Sequence, residues 1–166
     1  MKHLHTLKRQ RGFTLLLAAL VASITLALGS AIFEIAQKEV TLSSVGRDSQ
    51  YAFYAADTGA ECALYWDMRF NFFGTSTPSV NPPDPRCDNQ SLCDEADECV
   101  RSGTYPQTMT FEFQPNGYCV DVAVEKTFDE VNDAIRTTVR SDGFSTSCET
   151  VSLSPRTLQR SVELHY

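Results

Sequence analysis

The 166-residue chain is acidic: 21 Asp and Glu stand against 14 Lys and Arg, for a formal charge of −7. That balance excludes broad binding to a phosphate backbone, which needs Lys and Arg, and suits a solvated extracytoplasmic surface or one that meets cations. The length fits one domain plus a spanning helix.

The chain opens on residues 1–12, which contain four basic residues (Lys2, Lys8, Arg9, Arg11) and no acid. Residues 13–33 are uncharged and mostly apolar, about 30 Å as a helix and so long enough to cross a bilayer core. The basic flank orients such a helix with its N-terminus in the cytoplasm and delivers the acidic body across the membrane. A cleaved secretory signal fits poorly, because its apolar core runs to about 7–15 residues and ends at a small-x-small site. A plain single-pass anchor is the serious competitor.

The junction separates these readings. Arg11-Gly12-Phe13-Thr14-Leu15-Leu16, at the cytoplasmic edge of an apolar helix, resembles the class III signal of type IV pilins and type II secretion pseudopilins. The resemblance implies that a prepilin peptidase cuts between Gly12 and Phe13 and methylates the new N-terminal Phe. Removing the leader's four basic residues takes the formal charge from −7 to −11. The family usually carries a Glu at the fifth mature position, where this chain has Leu17.

Helical character continues past the membrane segment over residues 34–70. Glu34 to Asp67 holds no Pro, and apolar positions recur at helical spacing: Ala52/Phe53, Ala56, Ala60 and Ala63/Leu64. Lys38, Glu39, Arg47, Asp48, Gln50, Asp57 and Glu61 are polar positions of the same stretch. This predicts an amphipathic helix whose apolar stripe packs on a domain. From Phe13 to about Arg69 the helix would be roughly 85 Å long, more than a domain of this size needs for its own core. Gly29, Gly46 and Gly59 each cost about 1 kcal/mol relative to Ala, marking sites of bending or of close packing.

Within that helix, Phe53-Tyr54-Ala55-Ala56-Asp57-Thr58-Gly59-Ala60-Glu61 resembles PilX-type minor pilins. A helix half in lipid and half in a domain is the type IV pilin arrangement that the resemblance implies. Asp57 and Glu61 stand four apart, but on an exposed helix face they read as solvated or contact residues, not a catalytic pair.

Residues 71–107 form a connector. Thr75 to Pro85 is polar and Pro-rich, which excludes helix and central strand. Cys87 to Cys99 then places five acids among three cysteines. Asp88, Asp94, Glu95, Asp97 and Glu98 are the only candidate ion ligands, and hard carboxylates suit Ca²⁺. The spacing lacks the Gly and terminal bidentate Glu of an EF-hand, which favours a solvated acidic loop pinned by disulfides. All six cysteines (Cys62, Cys87, Cys93, Cys99, Cys119, Cys148) fall on the exported side. An even number there reads as a disulfide framework with 15 possible connectivities. Zinc is disfavoured, because no Cys-x2-Cys pair occurs.

Residues 108–166 turn to a period of two. Thr108 to Phe113 puts Met109, Phe111 and Phe113 on one face, and Tyr118 to Glu125 puts Tyr118, Val120, Val122 and Val124 on one face. Gln114-Pro115-Asn116-Gly117 joins them as a hairpin. Cys119 then lies on the opposite side, which favours a loop cysteine as its partner. Lys126–Asp133 reads as a polar loop, Ala134–Ser141 as a third strand ending at Asp142-Gly143, and Arg156–Tyr166 as a fourth. Arg136, Arg140, Arg156 and Arg160 fall on the last two strands, where salt-bridging across the sheet is the expected use. The expected fold is α+β: a long N-terminal helix, transmembrane half plus amphipathic half, on a roughly four-stranded antiparallel sheet.

No catalytic motif is present, and His3, His5 and His165 offer no nucleophile–base pairing, so no enzyme, cofactor or nucleic-acid partner is expected. The resemblance implies a minor pilin or pseudopilin, held in the inner membrane with its C-terminal domain outside and then taken into a surface filament. Leu15, Leu16, Leu17, Leu20, Ile24 and Leu28 would pack on other pilin or pseudopilin subunits. In the family the acid at the fifth position is thought to meet a neighbour's N-terminal amine. Leu17 cannot, which points to a tip or initiating subunit. The alternative is an unprocessed, membrane-anchored extracellular binding module of adhesin type.

Overall fold

The structure is a computed structural model that describes residues 11–75, 84–93 and 103–166 (of Arg11 only the backbone). Helix α1 spans Arg11–Phe70. Strands β1 (Arg86–Cys87) and β2 (Gln90–Ser91) form a two-residue-deep hairpin, turned at Asp88 and Asn89, both with φ in the left-handed region. A four-stranded antiparallel sheet follows in the order β3 (Gln107–Phe113), β4 (Val120–Asp129), β5 (Ala134–Phe144), β6 (Gln159–His165). A short helix α2 (Cys148–Val151) sits between β5 and β6. The expected α+β architecture of one long helix and a four-stranded antiparallel sheet is observed.

The chain divides into a unit ending at Val45 and a second from Gly46 to Tyr166. In the first, residues 12–43 are all exposed. Its helix is long and apolar enough to cross a membrane. Gly29 has nothing within 4 Å of where a Cβ would stand, so of its two expected roles, bending or close packing, the second has no neighbour among the described residues.

In the second unit, Ala52, Ala55, Ala56, Ala60, Ala63 and Trp66 line the buried face of α1. The small side chains let the helix backbone settle onto the sheet. Phe53, expected in this stripe, is instead 47 % exposed, because the buried arc is centred on the alanines. A Cβ on Gly143 of β5 would collide with Ala52 O and with Ala56 N and Cα of the helix backbone. A Cβ on Gly59 would collide with Ser141, Val120 and Val122. At these two glycines helix and sheet approach closely. Gly46, like Gly29, has no such neighbour.

The sheet's inner face reads as the period of two predicts. Met109, Phe111, Phe113, Val120, Val122, Val124 and Val139 are buried, and close on Trp66, Phe72 and Phe73. Phe73 stacks on Phe111 with ring centroids 6.0 Å apart. Trp66 Nε1 donates to Arg86 O at 3.1 Å, tying the helix to the small hairpin. The β3–β4 turn contains the 3₁₀ segment Pro115–Gly117, with Asn116 at φ 53° and Gly117 at φ 84°. This is the conformation for which Asn-Gly is suited.

Several segment boundaries differ from expectation, and the connector read over 71–107 holds β1, β2 and the first residue of β3. Lys126–Asp133 is not a loop: β4 runs to Asp129, and Thr127, Phe128 and Asp129 pair with Arg136, Ile135 and Ala134 of β5. Lys126 enters the inner face because a buried acid awaits it there. The turn that follows is closed by Asp129 Oδ1, which accepts the N–H groups of Val131 and Asn132 at 3.0 and 3.3 Å. Strand β5 does not stop at Asp142-Gly143 but continues to Phe144, since Gly143 serves close approach and not a turn. Strand β6 begins at Gln159, leaving Arg156 in the preceding turn.

Candidate functional site

At the junction singled out by sequence, Gly12 lies within α1 with nothing within 4 Å of its would-be Cβ, and Phe13 is 69 % exposed. Leu15, Leu16, Leu17, Leu20, Ile24 and Leu28 are each more than half exposed. Ser23, Thr25 and Ser30 turn their hydroxyls back onto the carbonyls of Leu20, Ala22 and Ala27, three residues earlier. That local bonding satisfies polar groups that would otherwise be costly in an apolar setting.

The cysteines form disulfides. Cys62 bonds Cys87, which fixes α1 to β1, and Cys119 bonds Cys148, which fixes the start of β4 to α2. Cys93 is disulfide-bonded as well, and Cys99 lies outside the described residues. The partner of Cys119 comes from the connection after β5, on the side away from the Val120 face, as expected. The disulfide nonetheless leaves Cys119 1 % exposed.

Of the candidate calcium ligands, Asp94, Glu95, Asp97 and Glu98 lie outside the described residues. Asp88 is exposed and its Oδ2 accepts the Asn116 N–H at 3.4 Å. Among the described residues the one group of metal-type donors is Glu112, Cys119 and Cys148. Its two sulfurs are already bonded to each other, so the set does not fit a metal.

Sequence reasoning missed a buried polar cluster beneath the sheet. Lys126 Nζ stands 2.7 Å from Asp67 Oδ2 and 3.1 Å from Thr137 Oγ1, and the Tyr166 hydroxyl donates to the same Asp67 oxygen at 2.9 Å. Asp67, Lys126 and Thr137 are all buried, and Asp67 Oδ1 has no hydrogen-bond partner among the described residues. Burial, then the hydrogen bond to Asp67 and its negative charge, push the Tyr166 phenol well above its usual range. The cluster joins the end of α1 to β4, β5 and the residue after β6. The only signal in the sequence is a lone Lys in the inward register of β4.

On the outer face, strand register sets Glu112, Asp121 and Asp142 directly opposite one another across β3, β4 and β5. Desolvation first, then the Asp121 carboxylate and a hydrogen bond with it, raise the Glu112 carboxyl above the ordinary range. Asp142, although partly desolvated, is held below that range by hydrogen bonds from Ser161, Arg140 and Gln159. Arg140 Nε lies 3.2 Å from Asp142 Oδ2. Asp129 is drawn down to about 2 by the Asn132 amide and the Arg136 guanidinium. Arg136 and Arg140 therefore bridge acids on the sheet face, as expected, while Arg160 Nε donates to Ser49 Oγ of α1. His165 Nε2 lies 2.8 Å from Glu163 and Nδ1 3.2 Å from Thr138 Oγ1.

Comparison of the chain with protein-family models, with curated proteins and with solved structures finds no match in any of the three.

Proposed function

We propose that the chain is a minor pilin or pseudopilin-like subunit of a type IV pilus or type II secretion filament. One observation supports this reading: a basic-Gly-Phe junction placed at the head of a long apolar helix whose large apolar side chains, Leu15, Leu16, Leu20, Ile24 and Leu28 among them, are more than half exposed. Membrane residence explains such a helix, and so does transfer from lipid to a bundle of like helices. In both settings Leu15, Leu16, Leu20, Ile24 and Leu28 bury their apolar surface, worth roughly 1.5–3 kcal/mol for each side chain fully removed from water.

In this reading the N-terminus is cytoplasmic, the Gly46–Tyr166 unit is extracytoplasmic, and a prepilin peptidase cuts between Gly12 and Phe13 and methylates Phe13. The disulfides Cys62–Cys87 and Cys119–Cys148 agree with an oxidising compartment. Leu17 occupies the fifth mature position and supplies no carboxylate to a neighbour's N-terminal amine. In an apolar core an uncompensated amine is costly, so the subunit sits where that pairing is not required, at the tip or as the initiator.

Mass spectrometry of the mature N-terminus tests the reading. N-methyl-Phe13 is expected. An intact Met1, or a cut beyond residue 30, would overturn it in favour of an unprocessed, membrane-anchored binding module. Leu17→Glu tests the position: a tip subunit would become able to enter the filament shaft, whereas unchanged incorporation would remove the argument for the tip.

A further inference from the structure

Tyr51, Tyr54, Ala55 and Thr58 lie three or four residues apart and so share one face of α1. The β3–β4 turn rises beside them, and together they enclose a cleft of about 340 Å³, completed by Asn116 and Tyr118. Tyr118 stacks on Tyr51 with ring centroids 4.9 Å apart and planes 15° from parallel. Tyr54 is 62 % exposed. None of these three phenol hydroxyls makes a hydrogen bond among the described residues.

We propose that this cleft binds an organic cation of the methylated-ammonium class through the faces of its tyrosine rings. Three features select that chemistry. The rings carry negative faces that attract cations, and cages of aromatic rings are a recurrent way of holding quaternary ammonium groups. Among the described residues no charged side chain lines the cleft, so they offer no counter-ion to an anion and no like charge to repel a cation. An acid stands beside the turn: Asp88, whose carboxylate accepts the Asn116 N–H, within a chain of net charge −7.

The cleft lies wholly within the Gly46–Tyr166 unit, so the inference stands apart from any assembly role of the N-terminal helix. The test uses the full chain in a maltoside detergent, with ¹³C-labelled tyrosine observed by NMR. Choline is titrated beside its uncharged carbon isostere 3,3-dimethyl-1-butanol at matched ionic strength. Choline should shift the Tyr51, Tyr54 and Tyr118 resonances saturably, and the isostere should bind about fivefold more weakly or worse. Tyr54→Ala should weaken choline by about the same factor, while Tyr54→Phe, which keeps the ring, should retain it. Equal binding of the neutral isostere would reduce the cleft to an apolar pocket. Shifts produced by glucose but not choline, or no saturable shift with choline, would overturn the proposal.

Discussion

Lys126 Nζ and Asp67 Oδ2 stand 2.7 Å apart beneath the sheet, 59 residues distant in sequence and both nearly sealed from water. A buried ion pair contributes modestly against a well-packed apolar replacement, because desolvating two charges offsets most of their attraction. Removing one partner, however, strands the other. Lys126→Met should therefore cost about 3–5 kcal/mol, since Asp67 would keep only the Tyr166 hydroxyl and its Oδ1 has no hydrogen-bond partner among the described residues. The double variant Asp67→Leu with Lys126→Met should recover most of that loss. Urea unfolding of the wild type, both single variants and the double variant measures it. A single variant within about 1 kcal/mol of wild type would mean that water reaches the pair.

The approach of α1 to β5 at Gly143 yields a sharp contrast between glycines. Gly143→Ala would drive a methyl into helix backbone at Ala52 and Ala56, which cannot yield as a side-chain tip can. The expected loss is about 1–3 kcal/mol or more, the range for overpacking. Gly46→Ala meets nothing within 4 Å and should gain up to about 1 kcal/mol in helix propensity. Thermal melts of the two variants should move in opposite directions, and a stabilised Gly143→Ala would contradict the packing described here.

The same residues show what the sequence could and could not reveal. Alternation made β3 and the first half of β4 legible, because a half-buried strand must place Met109, Phe111 and Phe113 on one side and Thr108, Thr110 and Glu112 on the other. The alanine stripe of α1 was legible for the equivalent reason at helical period. Gly143 reads as a strand end because Asp-Gly is locally a turn signal, whereas its real constraint is the backbone of Ala56, 87 positions away. Lys126 likewise reads as loop until Asp67 is placed opposite it. Of the candidate sites, the Gly12–Phe13 junction is a local pattern and so visible in one dimension. The tyrosine cleft combines a helix face with a distant turn, and only the fold assembles it.

The acids on the outer sheet face give the stability a pH dependence of known sign. Glu112 has a raised carboxyl in the folded chain, so its contribution is fully present below the ordinary glutamate range, about pH 4.3, and is lost as pH rises through the elevated folded value. Asp142 and Asp129 act oppositely: their carboxyls are lowered, and their contributions are present above about pH 4 and lost on further acidification, for Asp129 toward about pH 2. Glu112→Gln removes the first effect and can donate an amide proton to Asp121, its cross-strand partner. The variant should be more stable than wild type at pH 7, and the difference should shrink as pH falls toward 4. Denaturant midpoints across that interval check it, and a variant less stable at pH 7 would show that the Glu112 charge is needed.

The Cys119–Cys148 disulfide closes a loop of 29 residues that contains β4 and β5. The entropy such a closure removes from the unfolded chain corresponds to about 3.5 kcal/mol at 25 °C. It also pins two main-chain bonds at the sheet's end, Cys119 N–H to Thr146 O at 2.8 Å and Phe144 N–H to Cys119 O at 2.9 Å. Replacing both cysteines by serine should therefore lower stability by about 2–4 kcal/mol. Amide exchange at residues 119 and 144 should quicken beyond the general increase, because the end of the sheet loses its staple while the Lys126 end keeps its own buried contacts. Exchange that rises uniformly over β4 and β5 would instead assign the bond's effect to the unfolded chain alone, and an unchanged midpoint would remove it from the stability of the fold.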